Sequence, residues 1–329
     1  MKVCIYSVKA YEKPFLLEHK PDNLEVVLLQ DQLDKTSVSK CQGCEVISIF
    51  SRDKCTREII DILADIGVKL ICLRSAGYDN IDYQYAYQAG IKVARVPSYS
   101  PEAIAEHAVM MILALSRSVC KADRLVKSYN FKMDSLVGFN LQDKTVGVIG
   151  TGNIGQSFMK ILNGFNSNVI AYDINPSEEL HETLAFQYVD LETLLSQSDI
   201  ISLHIPLNKE TEYIINEESI SRMKDGVVII NTSRGKHIDT NALLNGLKSN
   251  KISKAGLDVY ENEALYFFED RSLDDNIEQP LMDLINNDDV LITGHQAYLT
   301  ETALSNIAKI TFDNILDYQQ GIVTDNFLS

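Results

Sequence analysis

Three kinds of side chain with complementary chemistry each stand just past an apolar, β-branched run. Arg234 follows Val227–Ile230 within Asn231-Thr232-Ser233-Arg234-Gly235. Glu261 and Glu263 close Gly256-Leu257-Asp258-Val259-Tyr260-Glu261-Asn262-Glu263, and His295 lies in Thr293-Gly294-His295-Gln296-Ala297-Tyr298. A guanidinium is a planar, permanently charged fork suited to a carboxylate. An imidazole exchanges protons near neutral pH, and a neighbouring carboxylate favours its charged form. Singly, each has a plainer reading: a solvated arginine, a structural histidine, an acidic surface loop. Jointly they supply a carboxylate anchor, a proton source and a group that tunes it, which is what reducing a carbonyl beside a carboxylate requires.

Such a reduction also needs a hydride donor. Thr145–Ile149 reads as a strand and runs into Gly150-Thr151-Gly152-Asn153-Ile154-Gly155, with a helical stretch from Gln156. A bare G-x-G-x-x-G is weak, but between a strand and a helix it is the dinucleotide fingerprint. Gly150 permits the tight turn, Gly152 lets backbone approach the pyrophosphate, and Gly155 allows close helix–strand packing. The diphosphate then rests on the positive end of the helix. Asp173 ends the next strand, 173 − 152 = 21 residues beyond Gly152, where a carboxylate bonds the ribose hydroxyls. Ile174-Asn175-Pro176 offers no Arg or Lys for a 2′-phosphate, so the expected cofactor is NAD.

The elements that must position these groups come in two series. Strand candidates are Val3–Val8, Leu24–Leu29, Glu45–Phe50, Leu70–Leu73 and Lys92–Val96. A second set is Thr145–Ile149, Val169–Tyr172, Ile200–Leu203, Val227–Ile230, Ala255–Val259 and Val290–Ile292. Strands alternating with helices predict an α/β protein with two doubly wound parallel sheets. The joint falls at Pro97-Ser98-Tyr99-Ser100-Pro101, where Ser100 caps and Pro101 opens a long apolar helix expected to extend as far as Lys127. A last helix, Glu301 to Tyr318, is expected to return to the first unit, leaving the second as an insertion.

Totals narrow the partners. The chain has 329 residues and 30 basic against 46 acidic side chains, a net charge of −16. So acidic a surface repels phosphate backbones and anionic lipid, so neither nucleic acid nor membrane is expected. No secretory signal is read at the start, and the longest apolar run, Ala108 to Leu115, is too short to span a bilayer. Cys41-Gln42-Gly43-Cys44 lacks a second pair at zinc spacing, so reduced cytosolic thiols are expected and no metal site. His107 and His204 read as structural, for want of a paired acid and anchor.

Several segments carry a family resemblance: Arg74-Ser75-Ala76-Gly77-Tyr78-Asp79-Asn80-Ile81-Asp82, Pro101-Glu102-Ala103-Ile104-Ala105-Glu106-His107, Gly150–Gly155, Asn231–Gly235, Leu257–Glu263 and Gly294–Tyr298. Together they resemble the D-isomer-specific 2-hydroxyacid dehydrogenase family over essentially the whole chain. Asp258–Glu263, Tyr266-Phe267-Phe268-Glu269-Asp270 and Gly294–Thr300 are most similar to its fermentative D-lactate dehydrogenase branch. The resemblance implies a Rossmann NAD-binding domain, residues 100–298, inserted into a flavodoxin-like substrate domain, residues 1–99 plus 299–329. It implies that Arg234 binds the substrate carboxylate and polarises the carbonyl. His295 would be the acid in reduction and the base in oxidation, with Glu263 bonded to it and holding its proton. Ala76 and Gly77 would offer backbone N–H groups to the carboxylate, and Tyr99, Tyr298 and Phe50 would line the side-group pocket. On the cofactor, Asn153 and Ile154 would face the diphosphate, Ile205 and Pro206 the adenine side, and Thr232 and Asp258 the nicotinamide end. Ser233 and Thr211 complete the expected cofactor set, although some relatives carry Asn at the latter position.

The implied reaction is reversible reduction of pyruvate to D-lactate by a cytoplasmic homodimer or a tetramer of dimers. The apolar helix Ile104 to Leu115 is a candidate dimer surface, or is buried within one subunit. One rival is a family member acting on a bulkier 2-keto acid. Another is an NAD-sensing corepressor on the same fold, disfavoured by the lack of a basic surface and of disordered flanks. An L-specific dehydrogenase would carry its glycine fingerprint near the N-terminus, whereas here it begins at Gly150.

Overall fold

A computed structural model describes residues 1–274 and 276–328. The chain divides into two compact units, Met1–Ser100 with Leu299–Ser329, and Pro101–Tyr298. The first opens with β1 (Lys2–Ile5), α1 (Lys13–His19), β2 (Glu25–Leu28), β3 (Val46–Ile49), α2 (Arg57–Asp65), β4 (Leu70–Leu73), α3 (Tyr83–Gln88) and β5 (Lys92–Ala94). Val46–Ile49 and Leu70–Leu73 are buried at every position, as continuous apolar strands covered on both faces must be.

The second unit runs through α4 (Pro101–Ser116), α5 (Val119–Lys127), β6 (Thr145–Ile149), α6 (Asn153–Gly164), β7 (Asn168–Tyr172), α7 (Glu178–Thr183), β8 (Gln187–Tyr188), α8 (Leu191–Gln197) and β9 (Ile200–Leu203). It continues with α9 (Glu217–Arg222), β10 (Val227–Asn231), α10 (Thr240–Lys248), β11 (Ile252–Leu257), α11 (Gln279–Ile285) and β12 (Val290–Ile292). Its strands lie in the order β12-β11-β10-β9-β6-β7-β8, and every pairing is parallel. The order reverses between β6 and β9, and a doubly wound sheet binds ligands at the carboxyl end of such a switch point. One face is buried by α4 and α6 through Ala105, Ala108, Met111, Ile112, Phe158 and Leu162. The other carries Leu194, Ile220, Leu243 and Leu284 of α8 to α11.

α4 does not continue to Lys127 as expected. α5 leaves it at 58°, with Ser118 at φ 47° between them. The cause is the later segment at Gly138, where a Cβ would lie 2.0 Å from the Ser116 carbonyl. Phe139 N–H donates to that carbonyl at 3.3 Å and takes an acceptor that a continuing helix would have used. Ile104 to Leu115 is mostly interior to this unit, with Met110 and Leu113 on its outer side.

After Tyr298 the chain forms α12 (Glu301–Gln320) and β13 (Phe327–Leu328) within the first unit. Thr300 caps α12 by accepting from Ala303 N–H, and Gly321 ends it at φ 73°. The sheet order there is β13-β5-β4-β3-β1-β2, parallel except for the last strand, which pairs antiparallel with β5. Without that edge it is the flavodoxin-like order 2-1-3-4-5. The sequence shows neither β8 nor β13 as a strand, because two residues carry no period. Among the described residues, no single helix is long and apolar enough to cross a membrane, and no group of His, Cys, Asp or Glu could hold a metal. Cys41 and Cys44 are buried in the first unit's core, where burial raises both thiols above the ordinary value.

Candidate active site

Gly150 follows β6 at φ 99°, and a Cβ there would lie 2.3 Å from the His204 carbonyl, so only glycine permits the turn. A Cβ on Gly155 would lie 2.1 Å from the Gly150 carbonyl, which lets α6 start hard against the strand. Gly152 has no atom within 4 Å of its Cβ position, and it opens α6 without a side-chain cap. An uncapped helix start beside open space is a site for an anion, and Asn153 and Ile154 form its first turn. Asp173 is held at the end of β7, with Oδ2 accepting from Thr151 N–H at 2.7 Å and Thr151 Oγ1 at 3.0 Å. Its Oδ1 accepts from Asn175 N–H at 2.9 Å, which fixes the carboxylate at the rim of the glycine turn. Past β10, Thr232 Oγ1 is buried with no hydrogen-bond partner among the described residues. A buried hydroxyl without a partner at a strand's carboxyl end suits a bound ligand. These residues fit NAD.

The chemical groups leave three adjacent parallel strands, β10, β11 and β12, and so emerge at the same sheet end as the glycine turn. Arg234 lies in the loop after β10, with its guanidinium donating to the Ser233 carbonyl at 2.8 Å. The next residue fixes that loop. A Cβ on Gly235 would lie 2.0 Å from the Tyr260 carbonyl carbon and 2.3 Å from Glu261 N, so the loops after β10 and β11 are in backbone contact. Glu263 lies three residues beyond Tyr260. Its Oε2 accepts from Tyr260 N–H at 3.1 Å, while Oε1 is 2.8 Å from His295 Nδ1. A carboxylate only accepts, so Nδ1 carries the proton and Nε2 is the nitrogen turned to a substrate. Glu261 is outside this pair and accepts from the Tyr213 hydroxyl at 3.1 Å.

His295 has φ 55°, the left-handed region, which costs a non-glycine residue about 1–2 kcal/mol. Asp258 holds it there. The Asp258 carbonyl accepts from His295 N–H at 2.7 Å, and its carboxylate accepts from Gln296 and Ala297 N–H at 2.8 Å each. Burial pushes the Asp258 carboxyl upward, but the nearby His107, bonds from Thr293 and Gln296 N–H, and the neighbouring His295 outweigh it and leave the value lowered. Asp258, assigned from the resemblance to the nicotinamide end, also accepts with both oxygens within the protein, its side chain 1% exposed. It acts by holding the histidine loop. His107, read as structural for want of an acid, does have one: its Nε2 is 3.4 Å from Asp258 Oδ1.

The remaining predicted residues divide between the units. Ser233 Oγ donates to the Leu203 carbonyl at 2.8 Å, which ties loops after β9 and β10. Thr211 Oγ1 donates to the Pro206 carbonyl at 2.7 Å, closing the turn that carries Ile205 and Pro206. Tyr298 ends the second unit. In the first unit, Ala76 and Gly77 follow β4, where Arg95 donates to the Ala76 carbonyl and Ser75 Oγ to that of Gly77. Phe50 is buried beside the Arg74 guanidinium, 5.8 Å from its ring centre, and the Tyr99 carbonyl accepts from Asn306. Pattern reading missed Phe268, whose ring centre lies 5.6 Å from that of His295. No local signal marks it.

A switch-point glycine turn beside a carboxylate-bonded histidine and an arginine defines an NAD-dependent oxidoreductase. The model of the D-isomer specific 2-hydroxyacid dehydrogenase NAD binding domain matches residues 109–297. A 2-hydroxyacid dehydrogenase homolog of Haemophilus influenzae is 43% identical over 100% of this chain and 99% of its own. The D-lactate dehydrogenase of Escherichia coli is 42% identical over 100% of both. Among solved structures, the pyruvate reductase of Chlamydomonas reinhardtii superposes with a TM-score of 0.91 at 40% identity, covering 99% of this chain and 98% of that one. The Aquifex aeolicus D-lactate dehydrogenase, complexed with NAD and lactic acid, gives 0.89 at 36% identity, with 99% and 98% covered. The chain belongs to the D-isomer-specific 2-hydroxyacid dehydrogenase family.

Proposed function

We propose that this enzyme is a D-lactate dehydrogenase, which reduces pyruvate to D-lactate reversibly with NADH. The observation that carries the chemistry is the 2.8 Å contact between Glu263 and His295 at the sheet end that also bears Arg234. Full-length identity of 42% with the Escherichia coli D-lactate dehydrogenase supports the substrate. When bound, the cofactor supplies or takes a hydride at its nicotinamide ring. Arg234 anchors the carboxylate of the keto acid and draws electron density from its carbonyl. His295 Nε2 delivers a proton to the oxygen in reduction and removes it in oxidation, while Glu263 orients the ring and balances its charge. The family resemblance assigns the Ala76 and Gly77 N–H groups to the substrate carboxylate and Tyr99, Tyr298 and Phe50 to its side group. The test is NADH oxidation with pyruvate, followed by chiral analysis of the product. L-lactate, or faster turnover of phenylpyruvate or ketoisocaproate, would overturn the assignment.

The described cysteines are free, and five of the six are buried, which suits a reducing, cytoplasmic setting. A homodimer is the proposed assembly. The supporting surface is α5 and the segment after it, where Val119, Val126, Tyr129, Phe131, Met133 and Val137 are between 50% and 89% exposed. Exposed apolar side chains this close in sequence suit an interaction surface. Light scattering should give twice the 36.9 kDa chain mass for the wild type. Phe131→Asp with Val137→Asp should shift it to one.

A further inference from the structure

We propose that His107, on the core helix α4, is a positioning residue for proton transfer, acting on His295 through Thr293 and Asp258. The proposal rests on the reading of His295 as the proton-transfer group. Thr293 Oγ1 is 2.5 Å from Asp258 Oδ1, and a carboxylate only accepts, so the single hydroxyl proton of Thr293 is committed there. His107 Nε2 lies 3.0 Å from the same Oγ1. With that proton spent, Oγ1 can only accept from His107, so Nε2 carries the hydrogen and the direction of the chain is set. His107 donates to Thr293, and Thr293 donates to Asp258. Asp258 in turn accepts the amides of Gln296 and Ala297, next to the left-handed His295.

Each link has a mechanical consequence. α4 packs on α6 and on β11, whose Gly256 would bring a Cβ within 3.1 Å of Met111 on that helix. His107 is therefore mounted on a rigid support, while His295 sits in a loop in an unfavourable backbone conformation. The carboxylate that holds that loop is itself aimed by the hydroxyl and the imidazole. Without His107, Thr293 keeps its proton on Asp258 but loses its donor. Asp258 Oδ1 also loses the positive edge of a ring 3.4 Å away. The carboxylate that holds the amides at 296 and 297 is then less firmly aimed, and Nε2 of His295 shifts from the position that delivers the proton. Displacement of a reacting group by about 1 Å costs up to about 10²-fold in rate.

The experiment uses the full-length enzyme in its native assembly, with kcat, KM for pyruvate, NADH dissociation by fluorescence, and the primary isotope effect with deuterated NADH. His107→Ala and Thr293→Val should each lower kcat about 10- to 100-fold. NADH affinity should stay within about twofold, and the isotope effect should rise as chemistry becomes limiting. His107→Gln places an N–H near the former Nε2 and should recover most of the loss. Because the two residues act in series, the double variant should be no slower than the worse single one. Losses that add in the double variant, or that track NADH affinity and melting temperature and are not recovered by Gln, would overturn the relay. His295→Ala separates the two readings. If it is inactive while His107→Ala and Thr293→Val run at the wild-type rate, only the relay fails. If it remains active, the assignment of His295 itself fails.

Discussion

The Glu263 carboxylate divides its oxygens between two tasks: Oε2 is fixed by Tyr260 N–H, and Oε1 is thereby aimed at His295 Nδ1. The proton on Nδ1 is what leaves Nε2 for the substrate, so acid–base work depends on a backbone amide two bonds removed from it. General acid catalysis contributes about 10² to 10⁴-fold, and His295→Ala should lose that much of kcat/KM for pyruvate while NADH still binds. A variant with near-normal kcat/KM would refute the role. Arg234 acts by a different physics, since its fork can meet both carboxylate oxygens and a lysine cannot. Arg234→Lys should therefore cost about 10²-fold or more in kcat/KM, of the size seen on deleting a charged donor from a reacting centre. Recovery on adding free guanidinium, measured at saturating NADH, would tie the loss to the missing fork.

At the scale of elements, the site exists because three consecutive strands of one parallel sheet end side by side and their loops touch backbone to backbone. Gly235 is the tightest of these contacts. Gly235→Ala drives a Cβ into the peptide between Tyr260 and Glu261, neither of which is a movable side-chain tip. Overpacking of this kind costs about 1–3 kcal/mol, and here it also separates Arg234 from the Glu263 loop. The expected result is a lowered denaturation midpoint together with a fall in kcat/KM, and an unchanged midpoint would refute the contact. Much of this frame was legible in the chain. The glycine turn, Asp173 and the residues after β10, β11 and β12 stand at strand ends that apolar runs reveal by themselves. The break after α4 was not, because Ser116 to Ser118 contain neither Gly nor Pro, and the competing N–H comes from Phe139. Nor was the chain from His107 to Thr293, whose partners are 186 positions apart. Local pattern reports which face of an element is apolar, not which distant side chain will meet it there.

For the whole molecule, acid should act in two opposing directions. The chain carries a net charge of −16 at neutral pH, so protonating carboxylates first relieves self-repulsion. His204 works the other way. Its ring lies against Phe158, Nε2 is 2.9 Å from Ser202 Oγ, and Nδ1 is buried without a partner among the described residues. Burial pushes its pKa down from 6.5 to about 3. The folded protein thus refuses a proton that the unfolded chain accepts, and stability falls as pH drops from the ordinary histidine value toward the depressed one. The slope is at most about 1.4 kcal/mol per pH unit for one proton. His204→Gln can still bond Ser202 but cannot titrate, so it should remove this component and leave the carboxylate component intact. Chemical denaturation between roughly pH 7 and pH 4 should show the wild type losing up to about 3 kcal/mol relative to the variant. Parallel curves would mean that His204 takes up its proton without leaving the fold.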